Sequence, residues 1–418
     1  MTPPRPTLRA LAFLACVLCL LATQAVSTAA TRSRPLEGDR GSGPGMQLAP
    51  TAAPTNGITW SDVPKTHWAR AAIDLVAATN DWMRDFRTAT DGTTPFKPDA
   101  IESRRLFARA IVRAFAPDET EDPELVFPDL PTEDPAFHFA NVAVKLGWMS
   151  VDGDGNFLPA EPVTVRSVHG ALVPAMGLGD LAAGADALHL RNGTEIDTPA
   201  GFGALLVGMR AGLRYNHSDE TLDVGPDSPL SRAEVAWSLY RAATASPWLH
   251  DSLAPYADME LPNLGTTMQR VAAFAVDYVG YPYVYGGEWN QPTPTGYCCG
   301  TQLVGGFDCS GLTWWIMREA SSGWDNIPHR DYGGWSLPER SSAEMARGGT
   351  KIKRFEDLRA GDLIFYDGDG NGTVDHVNTY IGGGWAVDSS SSMGGVSIVR
   401  VDTGWYLDHF VRGRRILG

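Results

Sequence analysis

Cys309 stands in the run Phe307-Asp308-Cys309-Ser310-Gly311-Leu312, where a glycine-rich stretch gives way to Leu312, Trp315, Ile316 and Met317 at helical spacing. A cysteine in the first turn of a helix meets free backbone N–H groups and the positive end of the helix dipole, which favour thiolate over thiol. Asp308 fits the helix-cap position. The alternative for Cys309 is a small buried core residue. A thiolate that attacks a carbonyl needs a base, and the base needs a partner to orient it. Of nine histidines, His376 alone lies in a readable constellation: Gly361-Asp362-Leu363-Ile364-Phe365-Tyr366, a turn of Asp and Gly, then Asp375-His376-Val377-Asn378-Thr379-Tyr380-Ile381. This reads as strand, polar loop and strand, after which Gly382-Gly383-Gly384 turns the chain and Trp385-Ala386-Val387-Asp388 runs back. A hairpin centred on Gly382 makes His376 and Asp388 facing neighbours, so that the carboxylate holds one ring nitrogen and aims the other at the thiol. The chemistry expected of such a set is thiolate attack on an amide carbonyl, protonation of the leaving amine by His376, and hydrolysis of the thioester by water, with no cofactor.

The stretch from about Thr266 to Gly418 resembles the NlpC-type, papain-like cysteine peptidases that cut bacterial cell-wall peptides. The resemblance rests on five ordered blocks, Gly280 to Gly287, Phe307 to Leu312, Leu337 to Ser342, Gly361 to Tyr366 and His376 to Gly382, followed by Asp388. It implies an α+β domain in which a helix packs on an antiparallel sheet. It makes Cys309 the nucleophile and His376 the base, with Asp388 at the third polar position, where the family more often has histidine, asparagine or glutamine. The same resemblance has the Tyr283 hydroxyl join the Cys309 backbone N–H in steadying the oxyanion. It puts Asp308 and Ser310 in contact with the peptide stem, and Arg340 and Ser341 along the substrate groove, although Glu339 interrupts the usual Leu-Pro-Arg run. The substrate class it implies is the peptide stem of peptidoglycan, cut between D-glutamate and the diamino acid. The opposing class is a non-catalytic wall-binding or surface-layer protein whose rear domain only docks peptide.

The rest of the chain reads as an exported protein. Met1 to about Ala30 has a basic start, an apolar run from Leu11 to Leu21 and small residues where a signal peptidase cuts, which predicts a signal peptide over 1–30. Lipid attachment at Cys16 is disfavoured by the short apolar core before it. No later run of 18 or more apolar residues exists, so no membrane span is expected after the signal is removed. Residues 31–56, rich in Pro, Gly, Ser and Thr, read as a flexible linker. A net charge of −15 argues against nucleic acid as a partner. The expected location is the wall or surface of a bacterium. Past the signal, Cys298 and Cys299 remain beside Cys309, and this pair is free, joined to each other, or bonded to another chain. They sit in an insertion, Glu288 to Gly306, whose length beside a cleft suits a lid.

Between linker and peptidase-like region the chain repeats itself. Trp60-Ser61-Asp62-Val63-Pro64 returns as Phe127-Pro128-Asp129-Leu130-Pro131, each followed by a helix, a turn ending in Phe-x-Pro (Asp91 to Pro98, Asp152 to Pro159) and a second helix. These units resemble S-layer homology repeats, three of which pack together and grip cell-wall polysaccharide. An all-helical module over 57–250 follows, with repeats at about 58–117, 126–178 and 185–246, ahead of a domain at 266–418. The family's Thr-Arg-Ala-Glu motif survives as Ser231 to Glu234. Arg104, Arg166, Arg232 and Glu234 are thereby the expected polysaccharide contacts. The acidic run Asp367 to Asp375 mimics the opening of a calcium loop, but Asn378 stands where a loop would close on glutamate, so a tight acidic turn without metal is expected.

Overall fold

A computed structural model describes residues 57–296, 298–317 and 337–416. The signal-peptide and linker readings lie outside them. The repeat signature has a physical origin: each opening aspartate ties down the Phe-x-Pro turn of its own repeat. Asp62 accepts the backbone N–H groups of Phe96 (2.8 Å) and Lys97 (2.7 Å). Asp129 does the same for Phe157 (2.8 Å) and Leu158 (2.7 Å). These bonds hold Lys97 and Leu158 at φ of 61° and 59°, a left-handed conformation that residues with a Cβ normally avoid.

Four helices carry the module: α1 (Arg104–Phe115), α2 (Val165–Ala175), α3 (Phe202–Arg210) and α4 (Arg232–Ala243). Thr164 and Ser167 form a capping box at α2, and Ser231 caps α4 by accepting the Glu234 N–H. Further helices, among them Phe137–Lys145, and two parallel ladders complete it, with Thr59–Trp60 on Thr93–Thr94 and His189–Leu190 on Glu260–Leu261. The all-helical reading therefore needs these short strands added.

The helix starts close a ring. The backbone N–H of Arg232 reaches Ala100 of the first repeat, that of Arg104 reaches Glu161 of the second, and that of Arg166 reaches Pro226 of the third, at 2.8 to 2.9 Å. Side chains reinforce the docking: Arg232 Nε donates to the Phe96 carbonyl (2.9 Å) and Arg104 Nε to the Phe157 carbonyl (2.8 Å). Arg166 pairs with Asp227 at 2.6 Å. For Arg232 this corrects the expectation that it meets polysaccharide, because it is buried in the docking of the repeats. Arg232 is 1% exposed, held by Glu102 at 2.7 Å and Asp85 at 2.6 Å, and Arg104 is spent on carbonyls of the next repeat. Glu234 is likewise engaged, its carboxylate bonded to buried His217. Replacing Arg232 with methionine strands two buried carboxylates, so urea unfolding of the variant should show a loss of about 3 to 5 kcal/mol.

The rear domain has helices α5 (Thr266–Val276), α6 (Cys309–Met317) and α7 (Gly404–Asp408). The strands of its main sheet are β1 (Thr350–Ile352), β2 (Leu363–Tyr366), β3 (His376–Gly382), β4 (Trp385–Ser390), β5 (Gly395–Arg400) and β6 (Phe410–Arg415). They form one six-stranded sheet in the order β5-β4-β3-β2-β6-β1, with every neighbour antiparallel. The domain is thus α+β, as expected. β2, β3 and β4 are buried throughout because both faces are covered. α6 lies over β3 and β4. Ile364, Tyr366, Tyr380 and Ala386 pack beneath Trp405 and Tyr406 of α7. Module and domain share one apolar core and lie in one compact unit. Gly280 shows how closely they meet: at φ +91°, an added Cβ would come 2.6 Å from Leu205 of α3. Among the described residues no helix is long and apolar enough to cross a membrane.

Candidate active site

Cys309 opens α6, and the network beneath it explains most of its flanking residues. The Asp308 carboxylate caps the helix by accepting the Gly311 N–H, and its other oxygen accepts the Gly286 N–H at 3.0 Å. Gly311 is required because an added Cβ would lie 1.9 Å from the Gly287 carbonyl oxygen, where the helix start presses on the backbone. Arg340 completes the support from below. Its guanidinium donates to Glu288 (2.6 Å), Asp308 (3.1 Å), Ser310 Oγ (2.8 Å) and the Gly287 carbonyl (3.0 Å).

This placement corrects the groove assignment. Arg340 is 7% exposed and buried under the nucleophile's loop, where it positions Asp308 and Ser310 instead of facing substrate. Ser341 is a helix cap, in a capping box with Glu344. Glu339, the residue out of place in the family run, pairs with Arg414 at 3.1 Å.

His376 begins β3, and Asp388 lies on β4. The hairpin differs from the expected register by two residues: Ala386 faces Tyr380 and Val387 faces Thr379, and a one-residue irregularity between Trp385 and Ala386 brings the offset to that even number. Gly382, Gly383 and Gly384, all at positive φ, absorb the extra length of the turn. A shift of two keeps side chains on the same face, whereas a shift of one would have parted them. Asp388 is now diagonal to His376, and its Oδ1 sits 2.8 Å from His376 Nε2. Both side chains are buried. Burial pushes the imidazole toward its neutral form, but the nearby charges of Asp388 and Cys309 overcome it and hold the imidazole well above its ordinary range. With Nε2 on Asp388, Nδ1 is the nitrogen left for the thiol.

Tyr283 pairs with Phe307 in a parallel bridge that places it beside the nucleophile's loop. Burial, then the negative charge of Cys309 and Asp308, raises its phenol, so it remains a donor. The arrangement thus brings together a thiol at a helix tip, an imidazole of raised proton affinity, a buried carboxylate and a phenol.

A cavity of about 330 Å³ borders this loop, lined by Glu220, Tyr285, Gly286, Cys299, Gln302 and Leu303 among others. Glu220 comes from the repeat module and accepts the Tyr285 N–H at 2.7 Å. Burial and the nearby Asp308 raise its carboxyl. Cys298 and Cys299 are joined to each other, one of the three open alternatives. Gln302 closes the insertion on itself: its Oε1 accepts the N–H groups of Glu288 and Trp289, and its amide donates to the Trp289 and Gly306 carbonyls. In the acidic turn, carboxylates of Asp367 and Asp375 accept the N–H groups of Gly372 and Gly368 and lead the chain into β3. Glu220, Glu288, Gln302 and Tyr406 were invisible to motif reading. Only the half-buried aromatic cluster Trp405-Tyr406 could have pointed to the last.

Residues 280–415 match the model of the NlpC/P60 family, and residues 126–164 that of the S-layer homology domain. The bifunctional muramidase/DL-endopeptidase CwlT of Bacillus subtilis is 32% identical over 149 residues, 35% of this chain and 36% of that protein. The gamma-D-glutamyl-L-lysine dipeptidyl-peptidase of Bacillus cereus is 31% identical over 189 residues, 45% of each. A crystal structure of an NlpC/P60 family protein from Bacillus cereus aligns with a TM-score of 0.28 at 28% identity, covering 38% of this chain and 42% of that one. The alignments span less than half the length of these curated relatives.

Proposed function

With an NlpC/P60 domain at 280–415 and an S-layer homology domain at 126–164, we propose that the protein is a peptidoglycan endopeptidase of the cysteine type, exported and held at the cell surface by its repeat module. The observation that carries this reading is the placing of Cys309 at the tip of α6 together with the His376–Asp388 pair at 2.8 Å, whose imidazole is raised by the charges of Asp388 and Cys309. In the proposed reaction the Cys309 thiolate attacks an amide carbonyl, and the oxyanion is met by the Cys309 backbone N–H and the Tyr283 hydroxyl. The His376 imidazolium protonates the leaving amine, then takes a proton from the water that hydrolyses the thioester. Both relatives named above carry stem-peptide activities in their names, which favours the bond between D-glutamate and the diamino acid.

We assign the module to about 57–250, the catalytic domain to 266–418, and a leader and linker to 1–30 and 31–56. A pull-down of the full chain with purified wall polysaccharide tests the anchor, and failure to sediment with the polymer removes it. Mass spectrometry of muropeptides treated with the wild type and with Cys309→Ala tests the chemistry. New stem fragments with the wild type alone are expected; uncut stems with both proteins favour the peptide-docking alternative. Tyr283→Phe, which removes an oxyanion donor, should lower kcat by about 10² to 10³ while KM barely moves.

A further inference from the structure

We propose that Tyr406 is a positioning residue of this site: its hydroxyl fixes the Asp388 carboxylate, which in turn fixes His376. The inference rests on reading Cys309 and His376 as nucleophile and base. Tyr406 Oη donates to Asp388 Oδ2 at 2.7 Å, while Oδ1 of the same carboxylate lies 2.8 Å from His376 Nε2. Asp388 is 1% exposed, so water is a poor substitute for either donor.

The need for a second donor follows from the residue type. An ionised carboxylate only accepts hydrogen bonds, and its terminal torsion is broad. Held by His376 alone, the buried group would keep one oxygen unsatisfied and turn about its Cβ–Cγ bond, carrying the acceptor away from the ring. With Tyr406 on the other oxygen, any such turn breaks a charge-assisted bond. A histidine, asparagine or glutamine at 388 would bring a donor of its own. An aspartate brings none, and the chain supplies one from α7.

The tyrosine is held where this role requires. Its ring packs against Trp405 (centroids 5.2 Å apart), Tyr366 (5.4 Å) and His376 (6.5 Å), which together set the direction of the hydroxyl. Phenylalanine keeps those ring contacts and loses only the donor, so Tyr406→Phe separates positioning from packing. No motif spacing marks this residue, since it follows Asp388 by eighteen positions and lies beyond the whole of β5 in the chain.

The test is a double-mutant cycle in the full chain, with wild type, Tyr406→Phe, Asp388→Ala and the double variant assayed on purified stem peptides. Tyr406→Phe should lower kcat about tenfold with KM held within about twofold. In the Asp388→Ala background the same change should cost nothing further, because the hydroxyl has no carboxylate left to hold. Where turnover of Asp388→Ala is too slow to follow, the rate of Cys309 alkylation by iodoacetamide gives the same comparison. An unchanged kcat in Tyr406→Phe overturns the proposal. So does an equal loss in both backgrounds, which marks a packing role whatever the melting temperature. Cleavage surviving in Cys309→Ala would instead defeat the underlying nucleophile assignment.

Discussion

Stem-peptide hydrolysis should fall by a factor on the order of 10⁴ to 10⁶ when Cys309 is replaced by alanine, with the fold intact. The size follows from the nucleophile's role: without sulfur no thioester forms, and only binding and the oxyanion donors remain to assist water. The fold should survive because the support of α6 runs through Asp308, Gly311 and Arg340, whose bonds to Glu288 and the Gly287 carbonyl do not involve the thiol. Steady-state rates read the loss, and an unchanged melting temperature shows that activity alone was removed. Substantial residual cleavage would move the nucleophile elsewhere.

The second large effect is expected at His376. Alanine there removes the group proposed to act as base toward the thiol and as acid toward the leaving amine, so a kcat loss on the order of 10⁴ or more is expected. The site also sets a pH signature. The imidazole is held well above its ordinary range by Asp388 and Cys309 acting against burial. A raised proton affinity stabilises the folded chain fully below about pH 6.5, the ordinary histidine value, and that contribution fades as pH rises through the elevated one. Denaturant midpoints of wild type and His376→Ala should therefore converge on the alkaline side. Midpoints that converge in acid would reverse the sign and remove the ion pair.

What the sequence made legible was the local chemistry. A lone cysteine at a glycine-to-apolar boundary locates a helix tip, and strand periodicity around His376 located the hairpin to within two residues. That error was harmless because the turn took up an even number of residues, preserving the face shared by His376 and Asp388. Long-range partners were not legible. Arg340 and Arg232 looked like ligands because an arginine beside a motif gives no hint of depth; the structure buries them against Glu288 and Glu102, acids 52 and 130 residues away. Tyr406 reaches Asp388 from α7, and Glu220 reaches Tyr285 from the repeat module, through packing between elements, and no spacing rule reaches that far. The repeats were read correctly as a pattern, while the reason for it, an aspartate clamping a left-handed turn, appears only with the backbone bonds of Asp62 and Asp129 in view.

The most direct measurement is the alkylation rate of Cys309 by iodoacetamide at pH 6, in native wild type and in His376→Ala. If the thiol is ionised by the imidazole that Asp388 holds, wild type reacts rapidly at this pH, and the variant reacts slowly until the pH nears that of an ordinary thiol, about 8.5. Equal, slow labelling of both proteins would make Cys309 a structural cysteine and contradict the account.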